Sequence, residues 1–243
     1  MPRVMIDRLS ARPVTCGLPT GEGALAEIEL HGPANSSFVC AARVALEEKG
    51  ILYNLIEPDI LRARGFRLAD LLRYLAAQQP RLVEGEFALY DCDSVLRYID
   101  EGFEGPALQP SAARPRAMMI EIQAVIRDYL HPAAIGKIAT QRLFAPFLGS
   151  ATDMRVVEEA VQPMTDALQA IEQISLSAHD GEKSELLIGP QVTLADIALM
   201  PIASYLSMTP EGQKAIAASR RLARWWLSVS RRPSLARSWP GLG

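Results

Sequence analysis

Residues 24–30 alternate, with Ala26, Ile28 and Leu30 on one face and Glu27 and Glu29 on the other. A period of two predicts a half-buried strand. The period then changes. Phe38, Ala42, Ala45 and Leu46 share one stripe at helical spacing, with Arg43 and Glu47 as an i,i+4 pair on the outer side. Gly50 stands where a helix stop belongs. ILYNLIEP reads as a second strand ending at Pro58, and a helix is predicted around residues 68–77. RLVEGEFALY reads as two short strands about a tight turn at Glu84-Gly85, and DSVLRYIDE as a helix with Val95 and Ile99 inward. The order β-α-β-α-β-β-α over roughly 80 residues is that of one small α/β domain.

The Gly- and Pro-rich stretch GFEGPALQPSAARP then reads as a linker. Beyond it MMIEIQAVIRDYL, MRVVEEAVQPMTDALQAIEQI, LADIALMPIASYL and RLARWWLSVS are all helical by period, so the second domain is predicted to be an all-helical bundle. Pro132, Pro163 and Pro201 are expected to kink or end helices. Thr193 and Asp196 form a capping box, with Val192 and Ile197 at the staple positions. Pro13, Gly17, Pro19, Gly21 and Gly23 break the N-terminal stretch. The division expected is an extension over 1–23, an α/β domain over 24–101, a linker over 102–113 and a helical domain over 114–243.

Charge narrows the function classes. A net charge of −3 gives no basic footprint for nucleic acid. No apolar run reaches the ~18 residues that span a bilayer, and the N-terminus lacks the apolar core of a signal peptide. Cys16, Cys40 and Cys92 are scattered and form no CxxC, which excludes a zinc knuckle and a dithiol redox motif and fits a reducing cytoplasm. His131 and His179 lack companions at metal-ligand spacing, so no metal site is expected. Tyr129 and His131 are candidate pocket residues, with a structural role favoured for each.

The candidate chemistry lies in HGPANSSFVCAARVALEEKG, where Ser36 and Ser37 stand at the start of the first helix. From the residues alone either serine is a helix cap or a ligand-facing hydroxyl. Three segments then carry a resemblance. SSFVCAARVALEEKG is similar to the S-P-F-x-R-x-V-x-x-A-L-x-E-K-G run of the cytosolic glutathione transferases, QPRLVEGEFALYDCDSVLRYID to their V-P-x-L-V-D-G-D-x-x-L-x-E-S-x-A-I-x-x-Y-L, and LIGPQVTLADIALMPIASYL to their L-x-G-x-x-x-T-x-A-D-I. The order and spacing resemble a bacterial member near the phi, tau and theta types.

That resemblance implies a thioredoxin-like glutathione-binding domain followed by an all-helical domain, with glutathione as co-substrate and an apolar electrophile between the two. It implies a cytoplasmic, detoxifying homodimer without nucleic-acid or membrane partners. Ser36 aligns with the catalytic serine, tyrosine or cysteine position, leaving Ser37 as the plain cap. Pro80 matches the cis-proline, and Gln79, where the family usually has valine, would offer its backbone to glutathione. Asp91-Cys92 takes the place of the Glu-Ser pair that holds the γ-glutamyl end, with a shorter acid and a weaker donor. A charge-assisted donor gives roughly 1.5–3 kcal/mol and a helix N-terminus roughly 0.3–1 kcal/mol, together enough to lower a thiol pKa by ~2 units. Two alternatives are a non-catalytic binding or regulatory module and a pathway-specific glutathione-dependent lyase or reductase.

Overall fold

A computed structural model describes residues 13–16, 28–57, 80–179 and 184–241. The expected helix at 68–77, the first part of the strand at 24–30, and Gln79 lie outside the described residues.

Five strands form one sheet in the order β1-β3-β2-β4-β5. They are β1 (Pro13–Cys16), β2 (Ile28–His31), β3 (Tyr53–Ile56), β4 (Arg81–Glu84) and β5 (Phe87–Tyr90). β2 and β3 are parallel, joined by the crossover helix α1 (Ser37–Lys49); the other pairs are antiparallel. The register sets Leu30 opposite both Leu55 and Leu82. All three are buried under Val39, Ala42 and Leu46 of α1, one apolar layer against another. Gly50 ends α1 at φ 71°, a left-handed cap that favours glycine. The hairpin turns at Glu84-Gly85 as expected, pairing Glu84 with Phe87, and α2 (Cys92–Gly102) buries Val95 and Ile99.

β1 falls within the stretch expected as an N-terminal extension. It pairs antiparallel with β3 along the sheet's edge. Pro13 does not forbid this, because proline is tolerated as the first residue of an edge strand.

After the linker come α3 (Ala113–Val125), two π-helical segments (Ile126–Leu130 and Ala134–Phe144) with the short α4 (His131–Ala133) between them, and α5 (Ala145–Phe147). Next are α6 (Met154–Ser177), α7 (Leu194–Leu206), α8 (Pro210–Ala218), α9 (Arg220–Val229) and α10 (Pro233–Ser238). The thioredoxin-like sheet unit is thus followed by a bundle of helices. No helix among the described residues is long and apolar enough to cross a membrane.

Of the two expected effects, kinking or ending a helix, the ending does not occur at any of the three prolines. Pro132 brings no N–H, and π-helical register flanks it on both sides. Pro163 and Pro201 lie inside α6 and α7. α7 is buried along almost its whole length, and that packing outweighs the lost bond.

Arg43 and Glu47 are not an exposed pair either. Arg43 is buried, donating Nε–H to the Tyr53 hydroxyl at 3.1 Å and Nη2–H to the Arg237 carbonyl at 2.9 Å. Glu47 accepts from Arg237 at 2.5 Å, and Glu48 takes Arg232 bidentately at 2.8 Å on each arm. These contacts seat α10 on α1. Asp196 accepts the N–H and hydroxyl of Thr193 at 2.8 and 2.7 Å, completing the reach-back half of the expected box. It also accepts Leu187 N–H and Trp225 Nε1–H, at 2.8 and 2.9 Å. Burial pushes its pKa up, and these donors oppose the rise.

Candidate functional site

Ser36 is the N-cap of α1. Its φ of −73° and ψ of 128° are extended, and its Oγ accepts the Val39 N–H at 3.5 Å. A hydroxyl has one proton and two lone pairs. A cap uses a lone pair only, so the Ser36 proton can still be donated to an acceptor placed at the helix N-terminus. The cap and the ligand-facing role are therefore compatible in one side chain.

Ser37 is not the cap, contrary to expectation. It occupies the first turn, and its Oγ lies 3.1 Å from His131 Nε2. Phe38 stacks on the same imidazole, centroids 4.1 Å apart and planes 17° from parallel. Burial lowers the His131 pKa to about 4, so the ring is neutral near pH 7. His131 thus ties the start of α1 to the helical bundle. Its local sequence does not mark this role, because its partner lies 94 positions away.

Asp91 caps α2. Its Oδ2 accepts the Ser94 N–H at 3.0 Å and the Ser94 hydroxyl at 2.9 Å. Among the described non-glycine residues Asp91 alone has positive φ, at 79°, a costly conformation of the kind concentrated at functional sites. The Cys92 thiol turns inward, 3.9 Å from the Phe38 carbonyl. Burial, with Asp93 and Asp91 adding, pushes its pKa well up, so it is a neutral thiol. Asp93 extends the cluster: Arg127 Nη1 donates to it at 2.6 Å and Gln123 Nε2 at 3.3 Å. Burial raises the Asp93 pKa, with Arg127 opposing. Pro80 is buried at the entrance to β4.

The starts of α1 and α2 therefore meet at Phe38 and Cys92. Ser36 caps one of these starts and Asp91 the other, while Pro80 leads into the strand that pairs with β2. Two helix N-termini converging on one place form a setting for an anionic ligand. Cys40, one turn below, is fully buried with its pKa pushed up to about 12, and plays no part in that chemistry. Tyr129 stands apart, lining a cleft of about 590 Å³ with Val125, Pro132, Lys137 and Pro163, between the π-helical rod and α6. No group of His, Cys, Asp and Glu among the described residues could hold a metal ion.

Residues 118–233 match the family model of the glutathione S-transferase C-terminal domain. Over 210 residues the chain is 27% identical to glutathione S-transferase F9 of Arabidopsis thaliana, covering 85% of this chain and 94% of that protein. The corresponding values for glutathione S-transferase 3 of Zea mays are 28% over 218 residues, 88% and 94%. Along most of its length the chain is similar to glutathione transferases. Its fold agrees with a glutathione S-transferase III structure in apo form at a TM-score of 0.72 and 26% identity, over 88% of this chain and 97% of that one. It also agrees with a glutathione S-transferase I structure bound to lactoylglutathione, at a TM-score of 0.70 and 25% identity, over 87% and 97%.

Proposed function

We propose that the protein is a glutathione transferase whose glutathione thiolate lies at the start of α1, facing Ser36. The observation that carries this reading is the Ser36 hydroxyl, which accepts in the cap and keeps its proton for the sulfur. Glutathione loses its thiol proton to solvent on binding, and Ser36 hydrogen-bonds the resulting anion. The thiolate attacks an apolar electrophile held between the sheet unit and the bundle. A sulfur–carbon bond forms, and the electron pair leaves with the displaced group or opens a ring. The α2 start, with Asp91 and the backbone at Cys92, takes the γ-glutamyl end, and the backbone of Gln79 beside Pro80 takes the cysteinyl part.

The Asp91 carboxylate is engaged by Ser94 and the Cys92 thiol faces Phe38, so this hold on glutathione is weaker than a Glu-Ser pair would give. That observation favours a second reading, a binding module without turnover. Calorimetry with glutathione, followed by turnover of an activated aryl halide, separates the two. Binding with turnover is expected; binding without turnover supports the module.

The same reading makes the chain a cytoplasmic, detoxifying homodimer. Phe87 and Tyr90 on β5 are 46% and 45% exposed, and Tyr129 beside the helical cleft is 67% exposed. These apolar surfaces suit pairing of one copy's sheet unit with the other's bundle. Light scattering at micromolar concentration should give twice the chain mass. The plant relatives lend no support to a bacterial source, which rests on the sequence resemblance.

A further inference from the structure

We propose that Tyr205, on α7 of the helical bundle, is the positioning residue that fixes the direction of the Ser36 hydroxyl, a role that rests on the assignment of Ser36 given above.

Residues 32–36 connect β2 to α1, and each anchor of this loop is identifiable. The Gly32 N–H donates to the Ile56 carbonyl at 3.1 Å, and the Ala34 N–H to Glu57 Oε1 at 2.6 Å. The Asn35–Ser36 peptide is then held at both of its polar groups. Its N–H, on Ser36, donates to the Pro33 carbonyl at 2.9 Å. Its C=O, on Asn35, accepts the Tyr205 hydroxyl. A peptide is planar, so holding both groups fixes the plane. On the far side of Cα the Ser36 carbonyl accepts the Cys40 N–H at 2.8 Å, so the two held sides together set the Ser36 φ and ψ, and with them the Cα–Cβ bond that carries Oγ. The loop side supplies one anchor of that plane, and the bundle supplies the other.

Tyr205 is built to hold still. Its side chain is fully buried. Phe144 meets its ring edge-on at 5.4 Å and 67°, and Trp239 at 4.5 Å and 84°. Burial raises the phenol pKa, so the hydroxyl stays a donor at any pH where the enzyme would work. Trp239 follows α10, which Glu47 and Glu48 seat on α1, so the chain's last helix helps to place this anchor.

The test is a two-by-two comparison of the bound glutathione thiol pKa, read by thiolate ultraviolet absorbance. The proteins are the parent, Tyr205→Phe, Ser36→Ala and the double variant. Tyr205→Phe keeps the ring and removes only the donor. It should raise the bound thiol pKa by about 0.5–1 unit, with a fall of about 3–10-fold in turnover near neutral pH and little change in glutathione KM. In the Ser36→Ala background the same substitution should produce no further shift, because Tyr205 acts through Ser36. Val229→Ala, a buried site on α9 away from this contact, should lower Tm while leaving the thiol pKa in place. If Tyr205→Phe does not fold, Tyr205→Met, a smaller and adaptable side chain that also lacks the donor, reads the same comparison. Three results would overturn the proposal. A thiol pKa unmoved by Tyr205→Phe, where Ser36→Ala moves it, leaves the Ser36 assignment standing and removes Tyr205. Equal shifts in both backgrounds make Tyr205 a structural residue only. A thiol pKa unmoved by Ser36→Ala removes both assignments.

Discussion

The starts of α1 and α2 do similar work by different means. Each is capped by a side chain and tied to the helical bundle. At α1 the cap is a buried neutral hydroxyl, and the tie is an uncharged imidazole stacked on Phe38 and bonded to Ser37. At α2 the cap is an exposed carboxylate, and the tie is an ion pair between Asp93 and the half-exposed Arg127. The α1 cap keeps a proton to give away, whereas the α2 cap accepts two bonds and its neighbouring thiol turns inward. The contrast teaches where the binding free energy is concentrated. On the proposed reading the α1 start would stabilise a thiolate, and the α2 start would hold its ligand loosely.

Acid should separate the two ties most strongly. His131 has a folded-state pKa of about 4 against an ordinary 6.5, so the unfolded chain binds its proton first as pH falls. Its contribution is complete above the unfolded value and is lost between pH 6.5 and about 4, at most roughly 3 kcal/mol by linkage. Urea unfolding across that window should show the loss, and His131→Gln should flatten it. A slope indifferent to His131→Gln would break the contrast.

Repairing α2 comes next. Asp91→Glu with Cys92→Ser restores the longer acid and the stronger donor. Glutathione should bind about 3–10-fold tighter, the ~1 kcal/mol of one good hydrogen bond, with the bound thiol pKa unchanged. Calorimetry and thiolate absorbance read the two quantities separately. Tighter binding accompanied by a shifted thiol pKa would show that the helix starts do not divide the work.

Ser37→Ala should cost about 1 kcal/mol of stability through the lost bond to His131, without altering the thiol pKa. The smallest effect belongs to Arg127. Arg127→Met should cost less than about 1 kcal/mol, and the cost should shrink as salt rises, because the pair is partly exposed. Denaturant midpoints at low and high salt check both the size and the screening.

The contrast was only half legible in the sequence. Period-two and period-3.6 patterning marked β2, α1, the 81–90 hairpin and α2, because each is set by neighbours within a few residues. The Ser-Ser pair at the turn from strand to helix drew attention for the same local reason, and the family resemblance singled out Ser36. That Ser36 and not Ser37 is the cap was hidden, since the position of a cap depends on the final loop geometry. The burial of Arg43 was hidden too: one of its acceptors, Arg237, lies 194 positions on. His131 and Tyr205 reach the α1 start across 94 and 170 positions, and no local period encodes such contacts. Pro201 does not end α7, because isolated helix rules omit the packing that keeps that helix intact.

The central claim is that the Ser36 proton serves a thiolate. Its most direct test is the ultraviolet titration of glutathione bound to the parent protein and to Ser36→Ala. The parent should hold the thiol ~2 units below its ordinary value of about 8.5, and Ser36→Ala should return it upward by one to two units, the roughly 1.5–3 kcal/mol of a charge-assisted bond. Turnover should fall near neutral pH and recover at high pH, where the thiolate forms unaided. An unchanged thiol pKa and unchanged turnover in Ser36→Ala would contradict the account and leave Ser36 a helix cap alone.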